Sequence, residues 1–488
     1  MRFDVFAVTR QRPTGEDHHM RHQRIARLGV VAASLLLVAT ACGTDREEED
    51  PSSTDESTTA AAAELPTDTF GDVESPCGDG DASGATDQGV TDESITIGYG
   101  DDKGYPATPG LNQEMGDAMD AFIDWCNGLG GINGREIVGN RYDGMVLESA
   151  KVIKESCAQD FMLVGQGFAL DGNIEADRIG CKMPTVPGFA ISPEAAMGPM
   201  KYEPVPGPVD LFNDADIEVI VENYPEFKNV GFLNSDSPAV DQAGTRYTDN
   251  FKGLGITPKD CGVELKSAGG DNYRAIVQKF KECDVDALFT WTPPSPPIYN
   301  FLDAAKVEGF DVPLANAATW YTDGVLKANV GDLTEGTIIA LNFQPFENAD
   351  VVPAVADYRA VLEQTGGEQG LLGMQSASAF LLWATVAKDC GSELTRQCMV
   401  DGLAKVNEWT GGGLHGTADP GNNTPQECAI LVTVAGQGYE QVQPGEKGEW
   451  YCSKNGAREA PEAAWGVELT DDRIATTFLT DDVLTPKG

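Results

Sequence analysis

From Ile95 onward the chain alternates between two hydrophobic periods. "SITIGYG" places apolar residues at alternate positions, the pattern of a strand. Leu111, Met115, Met119, Phe122, Ile123 and Cys126 then recur three or four apart, so they share one face of an amphipathic helix. "GLGGING" is a turn and "REIVGNRY" a second strand. The rhythm continues through helix 147–159, strand "FMLVGQG", helix 173–180 and strand "MPTVPGF". It restarts with helix 215–223, strand "NVGFLN", helix 239–253, strand "GVELK", helix 271–283, strand "DALFTW", helix 297–308 and strand "VPLANA". Strand "GTIIALNF" precedes three helical stretches, near 353–365, 373–389 and 395–409. "AILVTVAGQGYEQV" reads as a hairpin turning at Gly436-Gln437-Gly438. Residues 454–488 are acidic and without a clear period. Strands that alternate with helices imply parallel sheets covered by helices on both faces. The fold class is therefore α/β, and two such blocks in series predict two Rossmann-like lobes.

A different pattern precedes residue 76. Residues 28–41 are apolar apart from Ser34 and Thr40. That run falls short of the roughly 20 residues a membrane-spanning helix needs. It has the length of the apolar core of a secretory signal, with Arg21, Arg24 and Arg27 as the basic flank. Met20 is the expected translation start, because residues 1–19 put Asp4, Glu16 and Asp17 ahead of that flank. Val38-Ala39-Thr40-Ala41-Cys42 resembles the bacterial lipobox, in which the cysteine is lipidated and becomes the mature N-terminus. Ala39 departs from the usual Leu, and ordinary secretory cleavage beside a chance cysteine is the competing reading. Residues 1–41 are thus expected to be a signal peptide and Cys42 a lipidation site. Residues 43–75 hold eleven Asp or Glu against the single Arg46. Such a segment buries too little apolar surface to fold, so 42–75 is expected to be a disordered acidic tether.

Charge and cysteine usage narrow the picture. Removal of residues 1–41 leaves 28 basic and 74 acidic side chains, a net charge of −46. A surface so negative repels phosphate backbones and anionic lipid, which excludes nucleic-acid partners and leaves the lipid anchor as the one membrane contact. The acidity serves solubility outside the cell and says nothing about the ligand. Besides Cys42 there are ten cysteines, an even number in an exported chain, which suggests five disulfides. Ten cysteines allow roughly nine times the 105 connectivities open to eight. Pairing neighbours in sequence gives Cys77–Cys126, Cys157–Cys181, Cys261–Cys283, Cys390–Cys398 and Cys428–Cys452. There is no C-x-x-C, and beyond the signal His415 is the one histidine, so no metal or cofactor is expected. His415, alone in a glycine-rich loop, reads as a surface residue rather than a catalyst.

"SITIGYGDDKG", "NGLGGINGREIVGNRYDG", "ESCAQDFMLVGQG" and "NYRAIVQKFKECDVDALF" resemble type I periplasmic binding proteins of the branched-chain amino acid (Leu/Ile/Val-binding) family, over about residues 92–445. Cys157 and Cys181 sit where many members carry a disulfide. The resemblance implies two lobes joined by a three-crossover hinge, with crossings near Leu211, Asn342 and Gly412. The implied order is 76–211 in lobe 1, 212–341 in lobe 2, 342–412 back in lobe 1, 413–453 back in lobe 2, and 454–488 as a C-terminal extension. It also implies a monomer that delivers its solute to the permease subunits of an ABC importer.

In open parallel sheets, ligands bind beyond the carboxyl ends of the strands. That rule selects Tyr105, Gln166, Phe168, Asp171, Phe189 and Ser192 in the first lobe. In the second it selects Ser237, Trp291, Trp320 and Tyr321. Two departures from the family bear on the ligand. The loop after the third strand, 165–171, has no hydroxyl for an α-carboxylate, and "ANAATWY" has no acidic residue for an α-ammonium. The expected ligand is therefore an apolar, aromatic or amide-bearing solute, with the branched-chain amino acids themselves as the family alternative. Asp171, if it faces the cleft, would favour a donor or a positive charge. No catalytic residues are expected. "GLGGING" and "TGGGLHG" lack the G-x-G-x-x-G spacing of a phosphate loop, and "GFAIS" is not a nucleophile elbow. A lipid-anchored sensor of the same fold is the first rival and an extracellular hydrolase the second.

Overall fold

The computed structural model describes residues 64–487. The signal segment, Cys42 and the tether up to residue 63 lie outside that range.

Two sheets organise the chain. In the first, the strands Glu136–Asp143, Ser94–Asp101, Met162–Val164 and Thr185–Val186 lie side by side in that order, all parallel. In the second, Val230–Phe232, Ala287–Thr290, Leu314–Ala317 and Ile338–Leu341 run parallel in chain order. The hairpin Cys428–Ala435 and Gly438–Gln443 then adds two antiparallel strands. The expected alternation of strands and helices is met. Several strands are shorter than their apolar runs, because only two or three residues of "FMLVGQG" and "MPTVPGF" pair before the chain turns to the cleft. "GVELK" is not a strand. Only the single bridge Ser235↔Leu265 ties it to the second sheet, and Gly262, Gly269 and Gly270, all at positive φ, interrupt any longer pairing. The helix expected at 395–409 is Arg396–Leu403. Beyond it Val406 O accepts from Gly421 N and Trp409 pairs with Ala418, so the backbone bonds sideways.

Helix Gln113–Gly128 packs its apolar stripe against Leu371–Cys390, a helix buried nearly all round. Gly373 makes the approach possible, since a Cβ there would come within 2.4 Å of the Tyr358 hydroxyl. Phe70, Phe122, Trp125, Tyr358 and Phe380 form an aromatic core around this contact, with ring centroids 5.5–6.2 Å apart. Phe70 belongs to a segment expected to be disordered. Residues 66–75 depart from that expectation, because Thr69–Phe70 and Val73–Glu74 form a hairpin, Phe70 is fully buried, and Trp125 Nε1 donates to Pro66 O. One large aromatic ring with a core to enter outweighs the polar composition around it.

All five disulfides join the cysteine neighbours expected to pair. The chain passes between the sheets at Leu211–Phe212, near Asn342 and near His415, and the last two passages pair through Phe343↔His415. The segment beyond residue 454 is ordered against both lobes. Arg458–Glu459 pairs with Leu211–Phe212, and Arg458 and Arg473 grip Asp214 and Asp210 at 2.6 Å. Farther on, Lys182 meets Asp482 at 2.7 Å and Lys487 N donates to Asp401.

Candidate functional site

A cleft of about 830 Å³ lies where the carboxyl ends of both sheets converge. From the first lobe, Tyr105, Val146, Ala169 and Phe189 reach it, one from the loop after each of the four strands. From the second lobe, Ser235 and Ser237, Trp291 and Thr292, Ala318 and Thr319, and Asn342 do the same. The rule that ligand sites lie beyond strand ends therefore locates the cleft in both lobes. Asp102 ties two of these loops together, accepting from Val146 N at 2.7 Å and Ala169 N at 2.6 Å. Val146 has φ 62°, an unusual conformation for a β-branched residue, and that strain sits on the cleft wall.

The second-lobe wall is aromatic. Trp291 stands edge-on to Phe232 at 4.9 Å and stacks on Tyr247 at 5.2 Å, while its Nε1 donates to Val240 O. Tyr299 and Phe212 extend this wall, and the Arg246 guanidinium lies 5.6 Å from the Phe212 ring centre. Aromatic side chains supply large apolar contact area with few rotatable bonds, which suits a site that must exclude water around a small molecule.

The charged groups divide by wall. Glu203, at the hinge, accepts from Ala190 N, Gly207 N and Lys201 Nζ, so its charge is used inside the protein. Asp216 is pushed up to about 6 by burial, against the pull of nearby Arg246. On the first-lobe side, Glu368 accepts from Gln113 Nε2. Glu114, in the first turn of helix Gln113–Gly128, is only 9 % exposed, and among the described residues its carboxyl accepts from its own backbone N–H and forms no ion pair. Burial pushes that carboxyl up to about 8, and the neighbouring acids Glu368, Asp101 and Asp117 push the same way. Gln375 and Asn342, also on the cleft, leave their amide oxygens without a partner.

Of the ten residues expected to line the site, Tyr105, Phe189, Ser237 and Trp291 do so. The other six are not brought to the cleft. Phe168 packs under its loop against Tyr142, Ile153, Leu163 and Met183. Gln166 donates to Thr185 Oγ1 at 2.6 Å. Asp171 accepts from Ile191 N at 2.6 Å and Ser192 N at 3.0 Å, and Ser192 caps the short helix Pro193–Ala196. Trp320 and Tyr321 are fully buried. Trp320 Nε1 donates to Thr292 O, and the Tyr321 ring stacks on Phe346 at 4.9 Å. Each of these groups is drawn inward because the interior satisfies both its apolar body and its polar atoms.

A family model described as periplasmic binding protein matches residues 215–439. Solved structures extend the likeness to most of the chain. A leucine-binding protein from Thermotoga maritima is 16% identical with a TM-score of 0.59, covering 71% of this chain and 97% of its own. A solute-binding protein from R. palustris, in complex with 4-hydroxybenzoate, is 17% identical with a TM-score of 0.56, covering 75% and 97%. A fatty acid ABC transporter substrate-binding protein from Thermomonospora curvata is 15% identical with a TM-score of 0.57, covering 76% and 97%. No curated protein matches in sequence. The fold is that of a type I periplasmic binding protein.

The described residues contain one serine–histidine contact that a hydrolase reading would seize on, Ser378 Oγ to His415 Nε2 at 2.8 Å. It is walled off from the cleft. Both residues are buried, Trp409 Nε1 donates to Ser378 Oγ, and His415 Nδ1 donates to Gly416 O, which closes the chain of bonds. His415 is thus an interior residue, contrary to the surface position expected, and burial holds it down at about 4.

Sequence reading missed Glu114, Arg246, Tyr247 and Tyr299. Glu114 and Tyr299 lie in the first two turns of helices that follow the strand-end loops, so the search for strand-end residues needed to extend one or two turns further. Arg246 and Tyr247 sit midway along helix Pro238–Gly253, where no local signal distinguishes cleft from core.

Proposed function

We propose that the chain is a lipid-anchored, extracytoplasmic solute-binding protein of an ABC importer, which closes two lobes over a small molecule and presents it to a permease. The observation that carries this reading is the cleft itself. It is a single cavity of ligand size at the carboxyl ends of two parallel sheets, walled by Trp291, Tyr247, Tyr299 and Phe189, with a few convergent polar groups. The occupant is an apolar or aromatic solute with one or two polar handles. Free leucine, isoleucine and valine are poorer fits, because such a wall exceeds what a short aliphatic side chain can cover. Binding energy is spent on closure, and the hinge strands absorb the motion. Cys42 carries the anchor in this reading, and residues up to about 65 give the body its reach from the membrane.

Native mass spectrometry of the protein purified from its own host should find a bound small molecule, released on mild unfolding. Cys42→Ala should move the protein from the membrane fraction to the medium while ligand binding persists. Unchanged membrane retention of that variant sinks the anchor, and a cleft that holds no solute sinks the capture reading.

A further inference from the structure

The Glu114 carboxyl is nine-tenths buried, lines the cleft and, among the described residues, takes no hydrogen bond or ion pair from any other residue. Its surroundings leave it there by construction. Gly370 supplies the room, since a Cβ at that position would come within 3.0 Å of Glu114 Cγ and Oε1. Among the described residues no cation pairs with it. Arg141, on the strand behind, is fully engaged by Asp101 at 2.5 Å, Asp120 at 2.6 Å and Asp117 at 2.9 Å. Lys327 is 4.0 Å from Glu368 and mostly exposed. The remaining charged or titratable groups around Glu114 are Glu368, Asp101 and Asp117, all acidic, and the buried phenol of Tyr358. A buried carboxyl without a partner is costly, and it persists where a partner arrives from outside.

We infer that the ligand carries a cationic nitrogen, seated against Glu114 with Glu368 nearby, on an aromatic or apolar body held by Trp291 and Tyr247. This rests on the reading of the cleft as a solute-binding site and narrows its substrate class to amphipathic amines. An anionic group at that end would meet two carboxyl groups, and a neutral amide brings no charge to hold Glu114 ionised, so it forgoes the ion pair. Seating an ammonium ionises Glu114, so its carboxyl proton passes to solvent as the ion pair forms. The carboxyl of the ligand-free protein is half-protonated at about pH 8. Below that pH, binding therefore releases close to one proton, and affinity rises about tenfold per pH unit until it levels off.

The test uses matched triples of primary amine, primary amide and carboxylate on phenethyl, indolylethyl and n-hexyl frames. Each is titrated calorimetrically into the full-length soluble protein. Amines should bind at least tenfold more tightly than their amides and carboxylates. At pH 6.5, titrations in buffers of different ionisation enthalpy should show close to one proton released, and at pH 9 almost none. Glu114→Gln should bring amine and amide within threefold of each other and abolish the proton release. Binding of amides or carboxylates in preference to amines overturns this inference and leaves the solute-binding reading standing. Amine binding without proton release at pH 6.5, or undiminished in Glu114→Gln, overturns it too. Absence of binding by every member of every triple overturns both readings.

Discussion

The loop 165–171 and the helix turn 112–115 flank the cleft from the same lobe, and each holds one buried carboxyl group. Asp171 is 5 % exposed and Glu114 is 9 % exposed, so burial alone does not separate them. Burial raises both, Asp171 to about 7 and Glu114 to about 8. Their partners separate them. Two backbone N–H groups converge on Asp171 and hold the start of the next loop, whereas among the described residues no other residue donates to the Glu114 carboxyl. A satisfied buried acid is part of the scaffold. An unsatisfied one beside a cavity is a site in search of a ligand.

The largest expected difference is in stability. Asp171→Ala strands two buried backbone donors and should cost about 3 kcal/mol, read as a lower denaturation midpoint. Glu114→Gln replaces a buried, largely protonated carboxyl that no other residue bonds, and should leave the midpoint near neutral pH unchanged or higher. Equal losses in the two variants would erase the distinction between them.

The same distinction between satisfied and available surfaces applies to the tryptophans. Trp291 keeps a face on the cleft, whereas Trp320 is sealed against Thr292 and Tyr299. Trp291→Ala should weaken ligand binding by about 2 kcal/mol. Trp291→Phe should abolish the ligand-induced change in fluorescence, and Trp320→Phe should preserve it while lowering stability. A ligand response that survives Trp291→Phe and disappears in Trp320→Phe would place the anchor on the wrong ring.

The comparison also has a pH dependence. A carboxyl held above its ordinary range binds a proton in the folded state that the unfolded chain has already released. Its contribution is therefore complete below the unfolded value of 4.5 and is lost as pH rises through about 8. The ligand-free protein should melt at progressively lower temperature between pH 5 and 8. Glu114→Gln should flatten the decline up to about pH 8, and Asp171→Asn only the part below about pH 7. A melting temperature that rises across this interval, or a slope indifferent to Glu114→Gln, would contradict the assignment.

Much of the fold was legible along the chain, because strands and helices advertise their period wherever one face is buried. The helix from Gln113 and the hairpin turning at Gly436 are instances. Elements failed where that signal weakened, as in "GVELK" at the sheet edge or in Arg396–Leu403, which stops short of 409. The site was legible to the level of loops. Position after a strand found Tyr105, Phe189, Ser237 and Trp291, and the same criterion swept in Phe168 and Trp320, which lie beneath those loops. Sequence position says which segment borders the cleft, but a side chain has two directions to point.

The sequence by itself determined the α/β alternation and its restart in a second block, since periodicity is a local property, and pairing each cysteine with its sequence neighbour matched the five disulfides found. It also specified aromatic residues near strand ends. Only the tertiary structure decided which of those aromatics face the cleft, that residues 66–75 join the core, and that Asp171 belongs to the scaffold while Glu114 stands alone. The reason is that hydrogen-bond satisfaction is a property of neighbours brought together from distant parts of the chain. Glu114 has no cationic partner among the described residues because Arg141 is already held by Asp101, Asp117 and Asp120.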